Sequence, residues 1–218
     1  ADLGDFTRKL GLDKTDKPVV TLAHDWGGLI SLGWAIEHQN ILSGVMLTNT
    51  AVYHDGVERI PAALRLALGV HELGTRDSTA FLDVTLGLAQ NQGRVPSEGE
   101  PGSSEQALAG PQESQPSALY PNKLHEGIRR TYRAPYAHPA WREGIRNFVG
   151  DIPTGTDIPS YAHMVRIAEG VRDLKVPAFF QWGTKDPVFQ RRYLFDLMDR
   201  FPQDKVHRYE KASHLVAE

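Results

Sequence analysis

The stretch Thr21–Ile30, TLAHDWGGLI, joins the end of a β-branched apolar run to a segment of helical spacing, and it turns on an acidic residue rather than on Gly or Asn. Upstream, Lys17–Ala23 (KPVVTLA) reads as a short buried strand. Downstream, Gly28–His38 (GLISLGWAIEH) has helical spacing with small residues near its start, and Ile41–Thr48 (ILSGVMLT) is a second apolar strand. Strand, turn, helix, strand is the repeating unit of a parallel sheet. Ala23 and Gly27 each lie two residues from Asp25. That is the spacing of an elbow in which the strand turns so sharply that the central side chain is lifted above the sheet. The following helix N-terminus presents N–H groups and the positive end of its dipole, which favour an ionised carboxylate. A carboxylate placed there is able to attack carbon. The competing role for Asp25 is to cap the helix that begins near Trp26, a frequent use of Asp.

A chain of 218 residues with 40% hydrophobic content can bury one substantial core. Its formal net charge of −3 gives no electrostatic case for nucleic acid or an anionic membrane surface, so a small apolar substrate is the expected partner. Without cysteine there is no disulfide, thiolate nucleophile or thiolate metal site, and the chemistry must come from oxygen and nitrogen side chains. No apolar run approaches the roughly 20 residues that span a bilayer. The opening ADLGDFTRKLG lacks the apolar centre of a secretion signal. The expectation is a soluble, cytoplasmic chain.

Helical patterns dominate between the second strand and about Asp173, as in PAALRLALGVHEL, TAFLDVTLGLAQ, KLHEGIRRTYR, AWREGIRNFV and YAHMVRIAEGVRDL. Strands return with Val176–Gly183 (VPAFFQWG), followed by a helix (QRRYLFDLMDRF) and KVHRYEKAS. A helical insert therefore interrupts an α/β sheet. The expected division is core at 1–52, helical cap at 53–173 and core again at 174–218. Within the cap, residues 90–121 are rich in Gly, Pro, Ser, Gln and Glu and read as a flexible surface insert. The first strand already carries the candidate site and the chain stops soon after a candidate histidine, so truncation at the N-terminus and a longer parent protein are expected.

In an elbow-based catalytic set the order along the chain is nucleophile, acid, histidine. Asp186 follows the strand end in QWGTKDPVF, and His214 follows the strand end in KASHLVAE, with room for one helix and one strand between them. Both positions are where the carboxyl ends of parallel strands place ligand-facing groups. Taken singly, Asp186 before Pro is as readily a turn former, and His214 is one of nine histidines. Asn49, at the end of the strand after the elbow, also faces the site, but an amide cannot serve as the acid.

AHDWGG, WGTKDPVF and ASHLVAE, in that order, resemble the Asp-nucleophile branch of the α/β-hydrolase superfamily, in particular the haloalkane dehalogenases. The segment TYRAPYAHPAWREGIRNFVGDIPTG looks like the cap of such proteins, and the β-lactone decarboxylases of long-chain olefin biosynthesis are similar in the same blocks. The resemblance implies an α/β-hydrolase fold with a helical cap. It also implies Asp25 as nucleophile, a covalent ester intermediate, His214 oriented by Asp186 to activate water, and Trp26 as donor to a departing halide. No cofactor or metal is implied. The family's oxyanion and halide-contacting loop would lie before Ala1. Epoxide hydrolysis would call on cap tyrosines, for which Tyr132, Tyr136 and Tyr161 are available, and Trp141 is a further candidate for lining the cavity.

Overall fold

The βαβ unit around Asp25 is present in the computed structural model, which describes residues 2–53, 59–89, 126–201 and 203–216. The insert expected at 90–121 lies outside the described residues. In chain order the elements are α1 (Asp2–Lys9), β1 (Val19–His24), α2 (Trp26–Glu37), β2 (Leu42–Thr48), α3 (Ala62–Arg76), α4 (Ala80–Ala89), α5 (Glu126–Arg133), α6 (Glu143–Gly150), α7 (Tyr161–Gly170), β3 (Ala178–Gly183), α8 (Arg191–Arg200) and β4 (Asp204–Tyr209). Short 3-10 turns fall between some of them. Among the described residues, no helix is long and apolar enough to cross a membrane.

The four strands form one parallel sheet in the order β1-β2-β3-β4. Register aligns Ala23, Leu47, Phe180 and Val206 across the sheet. The first three of these are buried, and with Val45, Ala178 and Trp182 they meet Leu32 and Ala35 of α2, Ala168 of α7 and Leu194 and Leu197 of α8 in one core. Fully burying a side chain such as Leu47 or Phe180 contributes about 1.5–3 kcal/mol. The adjacent row, Leu22, Met46 and Phe179, points to the other face, where Val20 and Leu22 are 55% and 69% exposed. Parallel sheets are ordinarily covered on both sides, whereas among the described residues this one is packed chiefly on one face.

Helix α7, numbered within the expected cap stretch of 53–173, packs on α2 and sends Ala168 into the main core. Arg200 reinforces that layer: it is buried, pairs with Asp196 at 2.8 Å and donates to the carbonyl of Ala168, joining α8 to α7. Its charge is thereby partnered, without which burial would be costly. Helix α3 packs on α4 and α6. Asp83 of α4 receives both Arg129 and Arg133 of α5 and so ties together the two helices that flank the insert.

Candidate active site

Asp25 sits at φ 52°, ψ −127°, a backbone conformation that L-residues rarely adopt. Such geometry costs about 1–3 kcal/mol and persists only where neighbours enforce it. Three do so here. The Asp25 N–H donates to the Asn49 carbonyl at 3.2 Å, and the Thr50 hydroxyl donates to the Asp25 carbonyl at 2.6 Å. Gly28 lets Thr50 come close: a Cβ at position 28 would lie 2.0 Å from the Thr50 hydroxyl oxygen. The sequence pattern assigned the need for a small residue to Gly27. A Cβ there meets only Ala23, at 3.9 Å, so the intolerant position is Gly28. Although Asp25 immediately precedes α2, its side chain makes no capping hydrogen bond. The carboxylate is left for other work.

Asp186 and His214 come to the same place from the ends of β3 and β4. The Asp186 side chain is wholly buried and accepts four hydrogen bonds. One oxygen takes the N–H groups of Val188 and Phe189 at 2.7 and 3.0 Å. The other takes Asn49 Nδ2 at 2.7 Å and His214 Nδ1 at 2.8 Å. Burial alone would raise the pKa of Asp186, but the bond and charge of His214, followed by the Val188 and Asn49 bonds, hold it below the usual carboxylate range. His214 Nε2, the other ring nitrogen, lies 3.6 Å from Asp25 Oδ2. Burial works against a charge on His214, yet the bond to Asp186 and the carboxylates of Asp186 and Asp25 outweigh it and raise its pKa to about 9. The histidine is therefore an imidazolium at neutral pH, between two carboxylates.

Above this cluster opens a cavity of about 940 Å³. Asp25, Asp186 and His214 contribute to its lining, while α3, α4 and α6 supply an apolar wall that includes Leu64, Val70, Phe81, Ile145 and Phe148. This volume is near the top of the usual range for small-molecule sites. Trp26 lines the cavity beside Asp25, and Phe148 packs edge-on against its ring with centroids 5.5 Å apart. The Trp26 indole N–H has no hydrogen-bond partner among the described residues.

No family model matches the sequence. The chain is 27% identical over 228 residues to the cis-3-alkyl-4-alkyloxetan-2-one decarboxylase of Xanthomonas campestris, covering 98% of this chain and 66% of that protein. It is 26% identical to the protein of the same name from Shewanella oneidensis, covering 92% of this chain and 55% of that one. The chain thus spans less than two thirds of the length of these relatives. Among solved structures, an ancestral haloalkane dehalogenase superposes with a TM-score of 0.72 at 16% identity, over 97% of this chain and 65% of that one. The chain has the fold of that structure, the α/β-hydrolase fold.

Within this fold the structure brings Asp25, Trp26, Asp186 and His214 together and sorts the remaining candidates. Of the three cap tyrosines, only Tyr136 is among the residues lining the cavity. Trp141, a candidate for the lining, is 62% exposed and lies outside it. Trp34 and Trp182 are buried structural residues, donating to Thr7 and to the Phe189 carbonyl respectively. Two residues that sequence reasoning left without a task complete the site. Asn49, at φ 26° and fully buried, accepts the Gly183 N–H and donates to Asp186, so one side chain fixes the acid to the strand beside it. Thr50 locks the elbow. The adjacency of Asn49 and Thr50 to a strand end was the available signal, but their partners depend on register across β1, β2 and β3.

Proposed function

We propose that the α/β-hydrolase to which this chain belongs is an enzyme in which Asp25 attacks an electrophilic carbon of a large apolar substrate and forms a covalent ester. The observation that carries this reading is the convergence of an uncapped, elbow-mounted Asp25 with the His214–Asp186 pair at the floor of the apolar cavity. In the first step a carboxylate oxygen of Asp25 bonds to carbon, and the leaving group departs with the electron pair. Exclusion of water by the apolar wall favours this charge-dispersed displacement. Esterification removes the Asp25 charge from beside His214 and with it one of the influences that raise the histidine's pKa. His214 becomes a better-poised base once the intermediate exists.

The cavity volume favours a β-lactone bearing two long alkyl chains as the substrate. There, Asp25 displaces the ring oxygen from the ring carbon that carries it, and the released electron pair forms a carboxylate beside the protonated His214. The bond to that carboxyl group then breaks, carbon dioxide leaves, the pair forms the carbon–carbon double bond, and Asp25 departs as free carboxylate. No water is consumed. The second reading, dehalogenation, is favoured by Trp26, which lines the cavity beside Asp25, and whose indole N–H, without a hydrogen-bond partner among the described residues, suits a departing halide. In that case His214 takes a proton from water, the hydroxide attacks the ester carbonyl of Asp25, and alcohol, halide and free carboxylate result.

The test is intact-protein mass of a His214→Phe variant incubated separately with a long-chain β-lactone and a long-chain bromoalkane, with Asp25→Ala as control. With the bromoalkane, whose adduct needs His214 for its hydrolysis, the expected result is a gain of alkyl mass that is absent from the control. With the lactone, whose adduct breaks down without water, the expected result is release of carbon dioxide and alkene by the parent chain and not by Asp25→Ala. A folded protein that gives neither result overturns the nucleophile assignment.

A further inference from the structure

His24 precedes Asp25 at the end of β1 and has no role in the chemistry above. Its Nε2–H donates to the carbonyl oxygen of His214 at 2.9 Å, and the two imidazole rings lie 4.4 Å apart at 42°. The ring of Phe189 also stacks on His214, with centroids 5.5 Å apart and planes within 24°. The His214 side chain therefore contacts an aromatic ring from the β3 end and an imidazole from the β1 end.

Among the described residues, the segment after β4 is tied by a short set of bonds, in which the His214 carbonyl also accepts the Val216 N–H at 3.0 Å. Towards β3 it is fixed by the Lys185 N–H on the Ala212 carbonyl at 2.9 Å. It also approaches Gly183 so closely that a Cβ there would lie 2.0 Å from the Ser213 carbonyl oxygen. Towards β1 the tie at His214 itself is His24. We infer that His24 is a positioning residue: by anchoring the His214 carbonyl to the strand that carries Asp25, it sets the approach of the imidazole to both carboxylates. The inference rests on the role proposed above for His214.

The chemistry explains why an imidazole suits this position. A lysine or arginine would donate equally well but would place a permanent cation against the His214 imidazolium. His24 is kept from charging chiefly by burial and next by His214, against the opposing influence of Asp25, the bond to the His214 carbonyl and Asp186; its pKa is lowered on balance. A neutral ring with its proton on Nε2 provides the donor without the repulsion.

Two variants of the 218-residue chain separate this role from mere packing. His24→Phe keeps a ring against His214 and removes the donor; His24→Gln keeps a donor at a similar reach. The first readout is the titration of the His214 ring followed by NMR, which needs no substrate. The second is the lifetime of the covalent adduct formed from a long-chain bromoalkane. In His24→Phe the His214 titration is expected to fall from about 9 towards 6.5 as its hold on Asp186 loosens. Adduct breakdown slows by about 100-fold, the usual effect of misplacing a reacting group by about 1 Å, while adduct formation by Asp25 changes little. His24→Gln restores both readouts. A His24→Phe protein whose His214 titrates as in the parent overturns the inference, as does a His24→Gln protein that behaves like His24→Phe. Failure of the parent chain to form an adduct with the bromoalkane overturns the dehalogenation reading instead, and the titration still decides the role of His24.

Discussion

At the floor of the cavity the acid and the elbow are held by several hydrogen bonds, whereas the surface that the roof turns to the cavity is apolar. Asp186 accepts four hydrogen bonds, and Asp25 is fixed through its main chain by Asn49, Thr50 and Gly28. The roof presents Leu66, Val70, Leu73 and Phe148, all lining the cavity and all between 42% and 70% exposed. Directional bonds fix atoms to within tenths of an ångström, which a displacement at carbon requires. Apolar contact is proportional to area and indifferent to direction, which suits the holding of a flexible chain. The difference between the two regions is one between setting a reaction and admitting a substrate.

The sharpest way to break that comparison is Asp25→Asn, which keeps the shape of the floor and removes the nucleophile. Turnover should fall by at least about a thousandfold with no covalent adduct in the mass spectrum. His214→Gln comes next. With a bromoalkane, adduct should still form while its release slows by about 10²–10⁴-fold, so pre-steady-state kinetics will show a burst followed by a slow steady state.

The same histidine makes a prediction about stability. Its folded pKa of about 9 lies above the ordinary 6.5, so its protonated form stabilises the fold fully below pH 6.5. That contribution is lost as pH rises through 9. Thermal unfolding of the parent and of His214→Gln, measured across that interval, should show a gap that narrows as pH increases. The depressed pKa of Asp186 acts in the other direction: its contribution is present above its ordinary value of 3.8 and is lost as pH falls through the lowered one.

Thr50→Val tests whether the floor is as rigid as described. It is nearly isosteric and removes the bond to the Asp25 carbonyl, at a cost of about 1 kcal/mol in stability. It should also lower turnover about tenfold without altering KM, because the strained peptide can relax. The roof should answer with smaller effects of the opposite kind. Val70→Ala or Phe81→Ala should raise KM for long substrates by up to about tenfold per side chain and leave kcat almost unchanged, in a chain-length series of substrates. A roof substitution that lowered kcat and spared KM would show that the two regions are not separate.

Much of the floor was legible in the sequence because its residues sit at strand ends, and strand ends are marked by composition. HDWGG, TKDP and ASH each follow a β-branched or aromatic run, and parallel topology brings such ends to one edge. What escaped was whatever depends on register. That Asn49 lies against Gly183, that Thr50 fills the space left by Gly28, and that His24 reaches the carbonyl of a residue near the other end of the chain all follow from strand alignment, which periodicity does not encode. The membership of α7 was hidden for a related reason. Its apolar stripe fits a cap helix and a sheet-covering helix equally well, and only packing on α2 decides between them. The size of the cavity was likewise beyond reach, since it is set by the tilt of α3, α4 and α6.

The fit of Gly28 beneath Thr50 also limits how the elbow can vary over evolutionary time. Alanine at position 28 meets not only the Thr50 hydroxyl but also its Cβ, at 2.6 Å, so trimming Thr50 to alanine would not relieve the clash. The two positions form an epistatic pair in which the route to any side chain at 28 passes through glycine at 50. That intermediate gives up the hydroxyl holding the Asp25 carbonyl. In a saturation library the pair should stand out as a rugged point of the fitness landscape, with single substitutions at 28 absent and double substitutions no better represented.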